Sequence, residues 1–141
     1  MRLLFVGERP SKTAVLRRWV WGDFHLSSKT LLEALAACQF PRERADFINV
    51  YSDDGKIDLQ SIEYIQNRRH SPIIIGMGKL AQRALAHHDI GHIEMIHPAA
   101  RGRIRRRDLY QEHVRQVLET AQEMSLLYDT NPELTLTNVK I

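Results

Sequence analysis

Short apolar runs, each followed by a stripe of apolar residues at helical spacing, set the strongest limit on how this chain can fold. The runs are residues 2–6, ended by Gly7, then Phe47-Ile48-Asn49-Val50, Pro72 to Ile75 and Gly91 to Ile96. Leu31, Leu32, Leu35 and Ala36 follow the Ser27-Ser28 cap signal. Asp58 stands ahead of Ile62 and Ile65 as an N-cap. Leu80, Ala81, Ala84 and Leu85 form a third stripe, and Tyr110, Val114, Val117, Leu118, Ala121 and Met124 a long closing one. Strands alternating with helices predict a parallel sheet covered on both faces. The expected fold is therefore α/β, a three-layer α/β/α sandwich with a central four-stranded parallel sheet. Residues 1–128 read as one domain, and residues 129–141 as a C-terminal tail or edge strand.

A chain of 141 residues is long enough to bury a core of this kind. Its 43% hydrophobic and 26% charged content is ordinary for a globular domain. No apolar run reaches the length of a membrane span, and Met1 to Val6 is too short for a signal peptide. The single cysteine, Cys38, excludes an intrachain disulfide and any four-cysteine cluster built by one chain. These features lead us to expect an intracellular, cytoplasmic monomer with no membrane contact. The net charge of +3 is distributed unevenly, with five arginines in the seven residues Arg101 to Arg107. Such a cluster can neutralise phosphates and release counterions.

Two side chains with chemical capability follow predicted strands: Glu8 in Gly7-Glu8-Arg9-Pro10-Ser11, and His97 in His97-Pro98-Ala99-Ala100-Arg101. Ligands of open parallel sheets bind beyond the carboxyl ends of the strands. Other motifs carry less. Gly76-Met77-Gly78-Lys79 lacks the spacing of a phosphate loop and reads as a tight strand-to-helix turn. His87, His88 and His92 lack the spacing of a zinc site. Cys38 reads as a small buried hydrophobe.

The ordered set of motifs resembles the uracil-DNA glycosylase superfamily, over about residues 3 to 118. Gly7-Glu8-Arg9-Pro10-Ser11 is similar to the Gly-Glu-Ala-Pro-Gly motif of the thermophile-type branch, with Ser11 in place of the last glycine. Phe24 lies at the spacing of that branch's base-stacking phenylalanine, after Trp19 and Trp21. Ile48-Asn49-Val50 resembles its Thr-Asn-Val segment, and Ile74-Ile75-Gly76 its strand-glycine-helix element. His97-Pro98-Ala99-Ala100 resembles the His-Pro-Ser-Pro motif, with alanines replacing Ser-Pro. Arg101 stands where the single-strand-selective branch carries a wedge arginine. The thermophile-type branch holds an iron–sulfur cluster on four cysteines, so this chain would be a cluster-free relative with no cofactor.

The resemblance implies cleavage of the bond between deoxyribose and a uracil-like base, in single-stranded or duplex DNA. His97 would donate a hydrogen bond to uracil O2 as charge gathers there. Glu8 would orient the attacking water and favour the cationic sugar. Asn49 would pair with the N3–H and O4 edge, Phe24 would stack on the base, and Gly7 and Pro10 would shape the pocket. Arg101 would fill the gap that the extruded base leaves in the strand, and Ser11, Arg103, Arg105 and Arg106 would hold the strand through its phosphates. Two alternatives stand beside this reading: a catalytically silent nucleic-acid-binding protein of the same fold, and a hydrolase of a free nucleotide or modified pyrimidine.

Overall fold

A computed structural model describes residues 1–8, 27–67, 73–131 and 139. Strands β1 (Leu3–Gly7), β2 (Ala45–Asn49), β3 (Ile73–Met77) and β4 (Ile93–Met95) alternate with helices α1 (Ser27–Ala37), α2 (Leu59–Asn67), α3 (Lys79–His87) and α4 (Arg107–Thr130). The strands form one all-parallel sheet in the order β2-β1-β3-β4. The chain is thus an α/β three-layer sandwich, as its alternating pattern predicts. Among the described residues, no helix is long and apolar enough to cross a membrane.

Strand periodicity divides the core in two. Leu3 and Phe5 of β1, Ile73, Ile75 and Met77 of β3, and Ile93 and Met95 of β4 pack with α1 and α4. Leu4, Val6 and Ile74 point the other way, against Ile62 and Ile65 of α2 and Ala81, Ala84 and Leu85 of α3. Successive side chains of a strand must point to opposite faces, so apolar residues at consecutive positions require a helical layer on each side. Asp58 caps α2 as expected: its Oδ1 accepts from the N–H groups of Gln60 at 3.1 Å and Ser61 at 3.2 Å.

Several boundaries differ from those the sequence suggests. β2 begins at Ala45, and β4 keeps just Ile93–Met95. β3 continues through Gly76 and Met77, so the turn into α3 rests on Gly78. Leu80 is 47% exposed, because the buried stripe of α3 starts at Ala81. In α1 the buried positions are Leu31, Ala34 and Leu35, whereas Ala36 faces solvent. Cys38 is half-buried, and burial pushes its thiol pKa up. Helix α4 takes in Asp129 and Thr130, the start of the segment read as a tail. Val139 pairs in parallel with Ile93. Its N–H donates to His92 O at 2.9 Å and its carbonyl accepts from Glu94 N–H at 2.7 Å. That contact extends the sheet at its β4 edge.

Gly76 occupies a crowded place on the α3 side. A Cβ there would stand 2.9 Å from His92 Cδ2 and 3.1 Å from Gln82 Cγ. His92 is 1% exposed and its Nδ1–H donates to Ile90 O at 2.9 Å, so its ring is held in place. Gly76→Ala should accordingly destabilise the fold by about 1–3 kcal/mol, the usual cost of overpacking. Urea denaturation checks this, and an unchanged midpoint would show that the ring can move aside.

Candidate functional site

All four strands run the same way, so their carboxyl ends share one edge of the sheet. β1 and β3 are neighbours, yet the chain leaves β1 towards β2 on one side and leaves β3 towards β4 on the other. The crevice between their ends is the topological switch point, where this architecture binds ligands. Glu8 follows β1, Gly78 follows β3, and His97 follows the end of β4. The Glu8 backbone is pinned by its neighbour strand: Tyr51 N–H donates to Glu8 O at 2.8 Å, and Val50 N–H to Gly7 O at 3.1 Å.

Gly78 brings the two side chains together. Its φ is +88°, in the region that favours glycine, and its N–H donates to Met95 O at 2.9 Å. A Cβ at this position would stand 2.6 Å from Glu8 Oε1, 3.2 Å from His97 Cβ and 3.4 Å from His97 Cδ2. The carboxyl group and the imidazole therefore close over a glycine that leaves them room. Gln82 secures the strands beneath, donating from Nε2 to Gly76 O at 3.0 Å and to Met95 O at 3.1 Å.

The turn after β4 sets the state of the imidazole. Ala99 N–H donates to His97 Nδ1 at 2.9 Å, and Ala100 N–H to His97 O. With Nδ1 accepting, the neutral ring carries its proton on Nε2 and is a donor there. Burial lowers the His97 pKa, and the Glu8 carboxylate opposes that shift without cancelling it. At neutral pH His97 is thus an uncharged hydrogen-bond donor beside a carboxylate.

The other expected site residues divide into groups. Gly7 is buried at the end of β1, in register with Asn49 at the end of β2, so both lie on the edge that carries Glu8. Pro10, Ser11 and Phe24, with Trp19 and Trp21, lie outside the described residues. Arg101, Arg103, Arg105 and Arg106 are exposed on the segment between His97 and α4, which includes a 3-10 turn over Arg103–Arg105. A cavity of about 690 Å³ opens beside this segment, lined by Thr30, Glu33, Pro98, Arg101, Arg105 and Arg107 among others. Arg106 pairs with Asp108 at 3.0 Å and Arg107 with Glu33 at 3.1 Å, whereas Arg101, Arg103 and Arg105 form no ion pair among the described residues. Gly78 is the site residue that sequence reasoning passed over; its signal was a glycine directly ahead of a helical stripe, read as a turn and nothing more.

No protein-family model matches this chain, and no curated protein matches it. A four-thiolate cluster does not fit a chain whose one cysteine is Cys38. Among the described residues, no group of three or more His, Cys, Asp or Glu side chains is arranged to hold a metal ion.

Two measurements test this geometry. In an NMR titration, Glu8→Gln should move the His97 midpoint further down, since the carboxylate is what favours the imidazolium. An unmoved or raised midpoint would separate the two side chains. Burial also holds the His113 pKa below its ordinary value. Between the folded-state values and about 6.5, the unfolded chain binds protons that the folded chain refuses, so stability rises with pH across that window. The contribution is complete above about 6.5 and fades as the pH falls towards the folded-state values. Urea midpoints should decline over that interval, and His97→Gln should flatten the decline.

Proposed function

We propose that this protein is a DNA glycosylase that hydrolyses the N-glycosidic bond of uracil or a uracil-like base. The observation that carries the proposal is the approach of Glu8 and His97 to one another over Gly78, at the switch point of a parallel sheet. The motif resemblance supports it independently, because the motifs alone point to the same two residues.

The chemistry follows from that pair. The C1′–N1 bond breaks with its electrons passing to the base, and the sugar acquires oxocarbenium character. His97 Nε2–H would donate to O2 of the departing base, where the negative charge gathers. A neutral donor suits this role, because it stabilises the anion and keeps its own proton. The Glu8 carboxylate favours the cationic sugar and orients the water whose oxygen bonds to C1′. The water's proton leaves through Glu8 to solvent, and the released base takes up a proton from solvent. Asn49, at the end of β2, supplies an amide suited to the N3–H and O4 edge of the base.

DNA is the partner we infer, with the protein acting as a cytoplasmic monomer. Arg101, Arg103 and Arg105 supply exposed guanidinium groups next to the His97 turn, available for phosphates of the target strand. The cavity beside Arg101 and Arg105 has room for a backbone segment flanking the extruded nucleotide.

Incubation with single-stranded and duplex oligonucleotides carrying one uracil, followed by alkali, tests the proposal. Strand scission is expected from the wild-type protein, reduced by roughly 10²–10³-fold in His97→Ala and by a similar order in Glu8→Gln. Salt-sensitive binding without scission would overturn the enzymatic reading in favour of a nucleic-acid-binding protein. Base release from a free nucleotide alone would move the substrate away from DNA.

A further inference from the structure

His97 owes its position to a residue that follows the last strand, and that residue is held by helix α4. Ile96 lies beyond the end of β4, where sheet pairing no longer satisfies its backbone groups. Its carbonyl accepts a hydrogen bond from Tyr110 Oη at 3.0 Å. Its N–H donates to His113 Nε2 at 2.9 Å. Tyr110 and His113 are three residues apart on one helix, so they stand on the same face one turn apart. Their ring centroids lie 6.1 Å from each other. Two side chains of a single helix thereby grip both polar groups of one peptide residue.

The grip works only with particular proton placements. A phenol must keep its proton to donate, and burial pushes the Tyr110 pKa far up. An imidazole must lack a proton on Nε2 to accept, and burial pushes the His113 pKa down. The neutral His113 ring consequently carries its proton on Nδ1, the opposite tautomer to that of His97. Tyr110 is 3% exposed and packs in the same core cluster as residues of β4 and α1.

We propose that His113 is a positioning residue whose bond to the Ile96 amide fixes the direction of the His97 ring over Gly78. The chain of contacts is short. His113 and Tyr110 fix Ile96; the next residue is His97, whose Nδ1 and carbonyl are fixed in turn by Ala99 and Ala100. A loose Ile96 amide would let the turn rotate, exposing His97 to a second tautomer and moving its Nε2–H off target. The functional weight of this device rests on the reading of His97 as donor to the departing base; the device itself does not.

NMR of the uniformly ¹⁵N-labelled full chain tests the device without reference to activity. Wild-type protein should show scalar coupling across the hydrogen bond between the Ile96 amide nitrogen and His113 Nε2. Its imidazole ¹⁵N shifts should report the Nδ1–H tautomer for His113 and the Nε2–H tautomer for His97. His113→Leu removes the acceptor, and the His97 shifts should then move towards a mixture of tautomers. His113→Gln keeps an acceptor oxygen at similar reach and should restore the wild-type His97 signature. Where scission is measurable, His113→Leu should lower kcat roughly tenfold or more with KM within about twofold, as displacement of a catalytic group does.

Absence of the coupling, with His113 carrying its proton on Nε2, overturns the proposal even if the leucine variant does not fold. A folded His113→Leu protein with an unchanged His97 signature overturns it as well. Absence of scission in the wild type with the coupling and tautomers as expected sinks the glycosylase reading and leaves the positioning role standing.

Discussion

The parallel pairing of β1 with β3 is the constraint from which the rest of the molecule follows. Both strands are buried on both faces, and their pairing matches Leu3 to Ile73 and Val6 to Gly76. Because the sheet is all-parallel, every strand connection must cross over a face, and right-handed crossovers assign α1 to one face and α2 and α3 to the other. The crevice at the carboxyl ends of the central pair is then unavoidable. No loop has to reach far to fill it: Glu8 and Gly78 directly follow the strands that make it.

Within that crevice, two electrostatic effects oppose each other at His97. Taking the imidazole out of water disfavours its charged form, while the nearby Glu8 carboxylate favours it. Burial wins, so the ring is neutral, and one backbone N–H from Ala99 decides which nitrogen keeps the proton. A donor prepared in this way needs no rearrangement when negative charge appears in front of it. The geometry permits this through an omission, since any side chain at position 78 would collide with the carboxylate.

The His97 turn is also a junction between two kinds of surface. On its inner side, α4 reaches up from the core through Tyr110 and His113 to hold Ile96. On its outer side the chain runs through Gly102, at φ +89° with open space around it, into exposed arginines. Ile104 packs against the core between them and keeps the segment close to the domain. Of the arginine run, Arg106 and Arg107 are occupied by Asp108 and Glu33. Exposed pairs of this sort contribute little to stability.

The alternation of strands and helices, the cap at Asp58 and the placement of Glu8 and His97 after strands were all legible in the sequence. They depend on local periodicity and on which residues end a strand, and both are written in neighbouring positions. Only the tertiary structure separated Gly76, which gives way to His92, from Gly78, which gives way to Glu8 and His97. It alone showed Tyr110 and His113 as partners of Ile96, where the pattern offered a core tyrosine and a histidine without a role. Those roles arise from contacts between residues distant in the chain, and they appear only when the sheet order sets which strand ends are neighbours. Periodicity reports the face a residue presents; it carries no information about what stands opposite.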